Sequence, residues 1–306
     1  MELTPAEAKA IATAAYIFLT PLVSNYVDMY DEAIVPASRR CDGGFGRWLR
    51  RRTSPTTEGD LAAAHPTWLH SSAWLDLRSE PWVVAAPPME AGQVGILRIT
   101  DLWGFLVDEA TDGRGADRVL VASPGWMGEV GTGIDRVARG ESSFVQTETW
   151  IGTFEPGDLS DAHHRRQDAE LAPLSELRGV AAPVGGPPVE WWPVDQYVRT
   201  DNRFWSAANF ALSLTRPNEQ DRSIYERIGE IGIGDGRRWE ASHFDDRVSE
   251  AIGEGMDDAI TELMRASATV ADARPLHRSR VDTDRDYFGR ALGTLQRRSV
   301  VHAESG

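Results

Sequence analysis

The sequence predicts an α+β protein, an antiparallel β-sandwich joined to a helical domain, and three observations carry that reading. Between residues 69 and 151, short apolar runs recur at strand length, separated by turns and with no helical period between them. Such spacing favours antiparallel sheets over βαβ units. Beyond Pro193 the apolar residues recur every third or fourth position, the signature of helices. Residues 4–31 open with a helix start signal ahead of an apolar stretch.

In chain order, Thr4 reads as an N-cap, with Pro5 at the first helical position and Glu7 at the capping-box spacing. Pro21 should stop or kink this helix near Leu19, because it lacks the N–H that the helix needs there. The stretch 36–60 reads as irregular and arginine-rich. Arg39, Arg40, Arg47, Arg50, Arg51 and Arg52 surround Trp48 and either hold an anion or pair with the protein's own carboxylates. Strands are expected at 69–77, 81–86, 94–100, 103–107, 118–122 and 143–151, with turn residues over 111–115. The last strand alternates most cleanly, placing Phe144, Gln146, Glu148 and Trp150 on one face and Val145, Thr147, Thr149 and Ile151 on the other. A polar helix follows over 157–168, then a Pro/Gly linker ending in Trp191-Trp192-Pro193.

Three helices come next. The first carries the stripe Val198, Trp205, Ala208 and Leu212; the second holds Ile224, Ile228 and Ile231 and is closed by Gly232 and Gly234; the third runs from Val248 to Met264. The segmentation is an N-terminal helix (1–35), a β-sandwich domain (36–175), a linker (176–193) and a helical domain (194–268). The tail, 269–306, reads as weakly ordered or as the remnant of a second domain, apart from Tyr287-Phe288 and Ala291-Leu292.

The totals exclude several classes. The 306 residues carry 47 acidic and 32 basic side chains, a net charge of −15, which argues against a nucleic-acid surface. Lys9 is the single lysine, so arginine makes up the rest of the basic set, and there are 11 tryptophans. One cysteine, Cys41, excludes an internal disulfide and a multi-cysteine metal site. No apolar run of about 18 residues is kept, so no membrane span is expected. The apolar stretch 11–19 follows acidic residues rather than a basic leader, and the expected location is the cytoplasm.

No phosphate-binding glycine loop, nucleophile elbow or His-Glu-x-x-His motif is present. Gly229, Gly232, Gly234 and Gly236 follow a helix and read as its stop. His163-His164 with Asp161, Asp168 and Glu170 offers metal ligands, but adjacent histidines diverge by about 100° on a helix, and a solvated helix is the better reading. The segment 65–77 is the most informative. In a strand, His70, Ser72, Trp74 and Asp76 share one side, bringing an imidazole, a hydroxyl and a carboxylate together as acid–base catalysis requires. The competing reading is a polar sandwich edge with Trp74 in a core.

Several segments resemble one family in the right order: Ser71-Ser72-Ala73-Trp74-Leu75-Asp76-Leu77, Leu97-Arg98-Ile99-Thr100-Asp101-Leu102-Trp103, Pro124-Gly125-Trp126-Met127-Gly128-Glu129-Val130 and Thr149-Trp150-Ile151-Gly152. With Ile231-Gly232-Ile233-Gly234 they are similar to the family known as domain of unknown function 1254, over about residues 10–265. The resemblance implies an immunoglobulin-like β-sandwich packed against a helical domain. It also implies that the usual partner, domain of unknown function 1214, is absent or truncated here, and that Trp74, Trp126 and Trp150 serve the fold. The family's Pro-Asn-x-Asp-Thr-Leu-Tyr segment is replaced here by His65-Pro66-Thr67-Trp68-Leu69-His70, and its arginine after the Trp-Ile-Gly strand by Thr153.

The expected function is therefore a non-redox enzyme acting on an apolar or partly apolar small molecule, of cyclase, isomerase or lyase type in specialised metabolism. It is expected to need neither cofactor nor metal. His70 is the expected acid or base, Asp76 or Asp101 its orienting carboxylate, and His65 a further catalytic candidate. Trp68, Trp103, Trp126, Phe105 and Glu148 are the expected pocket lining. The expected partner is a small-molecule substrate, with no nucleic acid and no membrane, and a homo-oligomer is compatible with the sequence. One alternative is a non-catalytic ligand-binding or assembly module that uses Trp191-Trp192. Another is a metal-dependent hydrolase at His163 or His164.

Overall fold

The apolar alternation in the middle of the chain resolves into two sheets. The structure, a computed structural model, describes residues 3–35, 44–53, 67–87, 93–111, 117–153, 169–271 and 285–294. Its strands are β1 (Leu49–Thr53), β2 (Thr67–Asp76), β3 (Trp82–Ala85), β4 (Gln93–Asp101), β5 (Leu106–Thr111), β6 (Val119–Ala122), β7 (Arg136–Arg139), β8 (Phe144–Thr153) and β9 (Glu170–Pro173). One sheet has five strands in the order β1-β2-β8-β4-β5 and the other has four in the order β7-β6-β3-β9. Leu75, Leu97, Ile99 and Val145 from the first sheet meet Val84, Val119, Val121 and Ala138 from the second in one buried cluster. On its other side the second sheet packs Val83 and Leu120 against Leu174 and Trp126.

Three strands differ from the sequence reading, and all three are sheet edges. β1 reads Leu-Arg-Arg-Arg-Thr, β7 reads Arg-Val-Ala-Arg, and β9 contains Pro173. Edge strands bury only part of their surface and tolerate charge and proline, so they lack the alternation that marks central strands. The 103–107 strand also begins later, because residues 102–105 form the turn between β4 and β5. The antiparallel expectation holds except for β6 and β7, which run parallel. The 123–135 connection between them is long enough for the crossover that a parallel pair requires.

These sheets lie in a unit formed by Met29–Glu190, whereas Met1–Asp28 and Trp191–Gly306 form a second, helical unit. The short helix α2 (Leu174–Arg178) closes the first unit with Gly179 in a left-handed conformation (φ 63°). The helical unit contains α1 (Pro5–Met29) up to Asp28, α3 (Arg203–Ser213), α4 (Arg222–Gly229), α5 (Asp246–Ala271) and α6 (287–294). The capping box forms as expected: Thr4 Oγ1 accepts the Glu7 N–H, and Glu7 Oε2 accepts the Thr4 N–H at 3.0 Å. Pro21 does not stop α1. The turns beyond it bury Leu22, Val23, Tyr26 and Val27 completely, and that burial offsets a proline cost of about 3 kcal/mol. The chain then continues through one π-helical stretch, Tyr30–Ile34.

One helix bears on the expectation that the chain keeps no apolar run of membrane-spanning length. The segment Pro5–Ile34 is long and apolar enough by length and composition to cross one, and 72% of its apolar window is buried inside the protein. Within the helical unit Tyr16 packs tilted against Phe204 at 4.5 Å, and Tyr26 packs near Phe210 at 5.2 Å. The apolar pairs of the tail anchor α6: Phe18 meets Tyr287 at 4.5 Å, Tyr287 donates to Asp221 at 2.7 Å, and Ala291 and Leu292 are buried. Burial and the Asp221 carboxylate both push the Tyr287 phenol well above its usual range. Asn209 secures the loop after α4 by donating to the Gly232 and Arg237 carbonyls, both at 3.0 Å, and accepting the Gly234 N–H at 2.6 Å.

Helices α1 and α5 cross where Gly255 lies against the Lys9 carbonyl, while Gly253 has open space. A Cβ at Gly255 would also lie 2.8 Å from the Ala12 Cβ. The two glycines therefore separate helix propensity from packing. Gly253→Ala should stabilise the protein by about 0.5–1 kcal/mol in urea denaturation. Gly255→Ala should destabilise it by about 1–2 kcal/mol, because overpacking outweighs the same propensity gain. Equal effects at both positions would contradict this crossing.

Candidate functional site

The candidate site lies on the face of the five-stranded sheet that points away from the shared core. β2 and β8 pair over their full lengths, with His70 opposite Trp150, Ser72 opposite Glu148 and Trp74 opposite Gln146. β4 adds Ile96 opposite Trp150 and Arg98 opposite Glu148. Strand alternation puts all of these on one side, while Leu75, Val145, Leu97 and Ile99 take the other.

His70 is the centre of this face. Its Nε2 lies 3.0 Å from Glu148 Oε1, a diagonal cross-strand pair. Its ring stacks on Trp150 at 3.9 Å between centroids and 22° between planes. Both residues are only 8% exposed, and Ile96 packs against Trp150. Around the pair, Arg98 donates from Nε and Nη2 to Glu109 Oε2 at 2.8 and 2.6 Å, and Trp74 donates to Glu32 at 3.0 Å. In the tautomer that donates Nε2–H to Glu148, Nδ1 carries the lone pair. Among the described residues the ring makes no second hydrogen bond. The arrangement is a carboxylate-held imidazole on an indole floor, able to take or give a proton through Nδ1.

The expected carboxylates are not the ones His70 meets. Asp76 shares its side of β2, but Arg78 occupies both oxygens, from Nε at 2.9 Å and Nη2 at 2.6 Å. Asp101 falls on the opposite register, paired with Val145, and organises a turn instead. Its Oδ1 accepts the N–H groups of Trp103 and Phe105 at 3.0 Å, and its Oδ2 accepts that of Glu141 at 2.9 Å. Trp103 is buried and Phe105 half-buried in that turn. Trp126 lies on the second sheet's outer side, with the Arg139 guanidinium 5.9 Å from its ring. Trp68 occupies a β2 position opposite Gly152. His65, Cys41, His163 and His164 fall outside the described residues. Of the expected set, the structure thus brings together His70 and Glu148, with Glu148 as partner rather than lining, and adds Trp150, which read as a fold residue. The alternation of β8 already placed Glu148 and Trp150 on one face; the missing signal was that β8 pairs with β2.

Other features are secondary. Among the described residues no group of three metal-binding side chains occurs. In the helical unit a shallow cleft of about 390 Å³ is lined by Trp192, Pro193, Val194, Asp195, Arg203 and Arg238. Arg203 is held there by Asp195 and Asp201, which raise its pKa further above the usual range.

Burial pushes the Asp101 carboxyl up to about 6 from an ordinary 3.8, against the three N–H donors that favour its ionised form. Because the folded value lies above the unfolded one, its contribution to stability is present below about pH 4 and is lost as the pH rises through about 6. Asp101→Asn removes the titration and leaves the Glu141 N–H facing an amide nitrogen. Urea denaturation should therefore show a stability gap favouring wild type that is widest near pH 4 and narrows by on the order of 2–3 kcal/mol towards pH 7. A gap independent of pH would mean that the carboxyl titrates in its ordinary range.

Comparison with known proteins agrees with this architecture. Residues 24–173, which include all nine strands, match a family described as "Protein of unknown function (DUF1254)". No curated protein matches the sequence. The crystal structure of the VPA0106 protein from Vibrio parahaemolyticus is similar over 96% of this chain, with a TM-score of 0.70 and 20% identity. This chain spans 66% of that protein's length, and at such identity the likeness speaks for the fold alone. The segment that builds both sheets and carries His70 and Glu148 belongs to the DUF1254 family.

Proposed function

We propose that this chain is a non-redox enzyme that transfers a proton on an apolar or partly apolar small molecule, as a cyclase, isomerase or lyase would. The observation that carries the reading is the partly buried His70–Glu148 pair, at 3.0 Å, with the His70 ring stacked on Trp150. Glu148 fixes the ring, Nδ1 exchanges the proton, and Trp150 with Ile96 supplies a surface that sheds water. An indole face also stabilises a developing cation, by up to about 2 kcal/mol where desolvated. A net charge of −15 supports a small-molecule partner over nucleic acid. The burial of α1 supports its reading as a core helix rather than a membrane span. Two sheets sharing one core support an immunoglobulin-like sandwich, from which the parallel β6–β7 pair departs.

A second reading, a ligand-binding or assembly module, draws on the Trp192–Arg238 cleft. It is weaker at Trp191-Trp192, because Trp191 packs against Phe210 and the Trp192 carbonyl accepts the Tyr26 hydroxyl. A metal-dependent hydrolase would need His163 or His164, which lie outside the described residues.

The test is turnover of a bacterial metabolite extract followed by mass spectrometry. Wild type should consume a defined metabolite. His70→Ala should slow this by about 10²–10⁴-fold with the circular dichroism spectrum unchanged, and Glu148→Gln should slow it less. Turnover by His70→Ala at the wild-type rate would overturn the assignment, and binding without turnover would favour the module.

A further inference from the structure

We propose that Ser72 binds the substrate's oxygen, and that the site takes an apolar carbonyl compound with an acidic C–H beside the carbonyl. This rests on His70 being the base. Ser72 is 1% exposed, and its hydroxyl has no hydrogen-bond partner among the described residues. Buried hydroxyls are nearly always paired, so one left free on a face that holds a base points to a ligand atom. Ser72 lies two positions from His70 along β2, about 6.6 Å at strand rise, and on the same side. It stands directly opposite Glu148. The nearby charged groups have partners of their own, Glu148 on His70 and Arg98 on Glu109, and among the described residues the Ser72 hydroxyl is a fully buried neutral donor on this face without one. The hydroxyls of Ser71, Thr147 and Thr149 are also unpaired, but their register turns them to the face away from His70.

The chemistry follows from the spacing. Nδ1 of His70 removes the proton from the carbon beside the carbonyl. The C–H electron pair forms the new C=C bond while the carbonyl π pair moves onto oxygen, where the Ser72 O–H donates a hydrogen bond to the developing enolate. The protonated ring returns the proton to the same carbon or, in a β,γ-unsaturated compound, to the γ carbon, and the carbonyl re-forms. Nothing is oxidised, and no co-reactant is consumed. Trp150 and Ile96 meet the hydrocarbon body, so the specificity belongs to an apolar skeleton with one oxygen function.

The experiment is hydrogen–deuterium exchange in D₂O, read by mass spectrometry, with geranylacetone, β-ionone and 3-cyclohexenone as probes. Wild type should exchange at least one of them well above buffer, and His70→Ala should not. Ser72→Ala should be at least tenfold slower, with a raised KM and a lowered kcat, and Ser72→Thr should recover most of the rate. If Ser72→Ala exchanges as fast as wild type while His70→Ala is inactive, the role of Ser72 is overturned and the base survives. Exchange of none of the three probes, alongside His70-dependent turnover of the metabolite extract, overturns the carbonyl class alone. Exchange by His70→Ala at the wild-type rate overturns both readings.

Discussion

The ten-residue antiparallel register between β2 and β8 is the constraint on which the rest of the β unit depends. The two strands are neighbours inside the five-stranded sheet, with β1 outside one and β4 outside the other. Their alternation sends Leu69, Ala73, Leu75, Val145 and Ile151 to one face and His70, Ser72, Trp74, Glu148 and Trp150 to the other. A slip of one residue would exchange the two sets, placing an imidazole and a carboxylate against the aliphatic core. The burial of Leu75 and Val145 therefore fixes the geometry of His70 as firmly as its own hydrogen bond does. β4 inherits the same register through β8, which is how Ile96 comes to lie against Trp150.

Much of this was legible in the sequence, and the failures have physical causes. The central strands β2, β4 and β8 and the helices α3, α4 and α5 announced themselves because each buries a face and must alternate at its own period. The edge strands did not, since Arg50, Arg136 and Pro173 interrupt the alternation, as an edge tolerates. Pro21 was read by its local cost, which tertiary burial overrides. At the site, sequence proximity drew attention to Asp76 and Asp101, yet the carboxylate that reaches His70 lies 78 residues away. Nothing local encodes which strands become neighbours across such a distance. Once the pairing of β2 with β8 is known, the sequence reading of each strand's faces supplies Glu148 and Trp150 directly.

The arginine excess also acquires a structural sense. Arg78, Arg98, Arg118 and Arg136 each meet a carboxylate across or beside a strand, at 2.6–2.8 Å. A guanidinium presents a planar fork of donors that suits such contacts, which an ammonium does not. Partly exposed pairs of this kind each contribute modestly. Their effect is positional: the Arg98–Glu109 pair secures β5 to β4, and Arg136 links β7 to β5 through Asp108. Among the described residues, these four guanidiniums are thus occupied by the protein's own carboxylates.

Helix α1 has a consequence for the order of events during synthesis. The Tyr16 hydroxyl bonds the Arg199 carbonyl, 183 residues later in the chain, and Lys9 meets Glu254, 245 residues later. At roughly 5–20 residues per second a ribosome needs on the order of 10–40 s to reach the first of these partners. Throughout that interval the most apolar segment of the chain has been made and has nothing to cover it, although the sheets between can already form. A nascent chain in this state displays a helix that the finished molecule conceals.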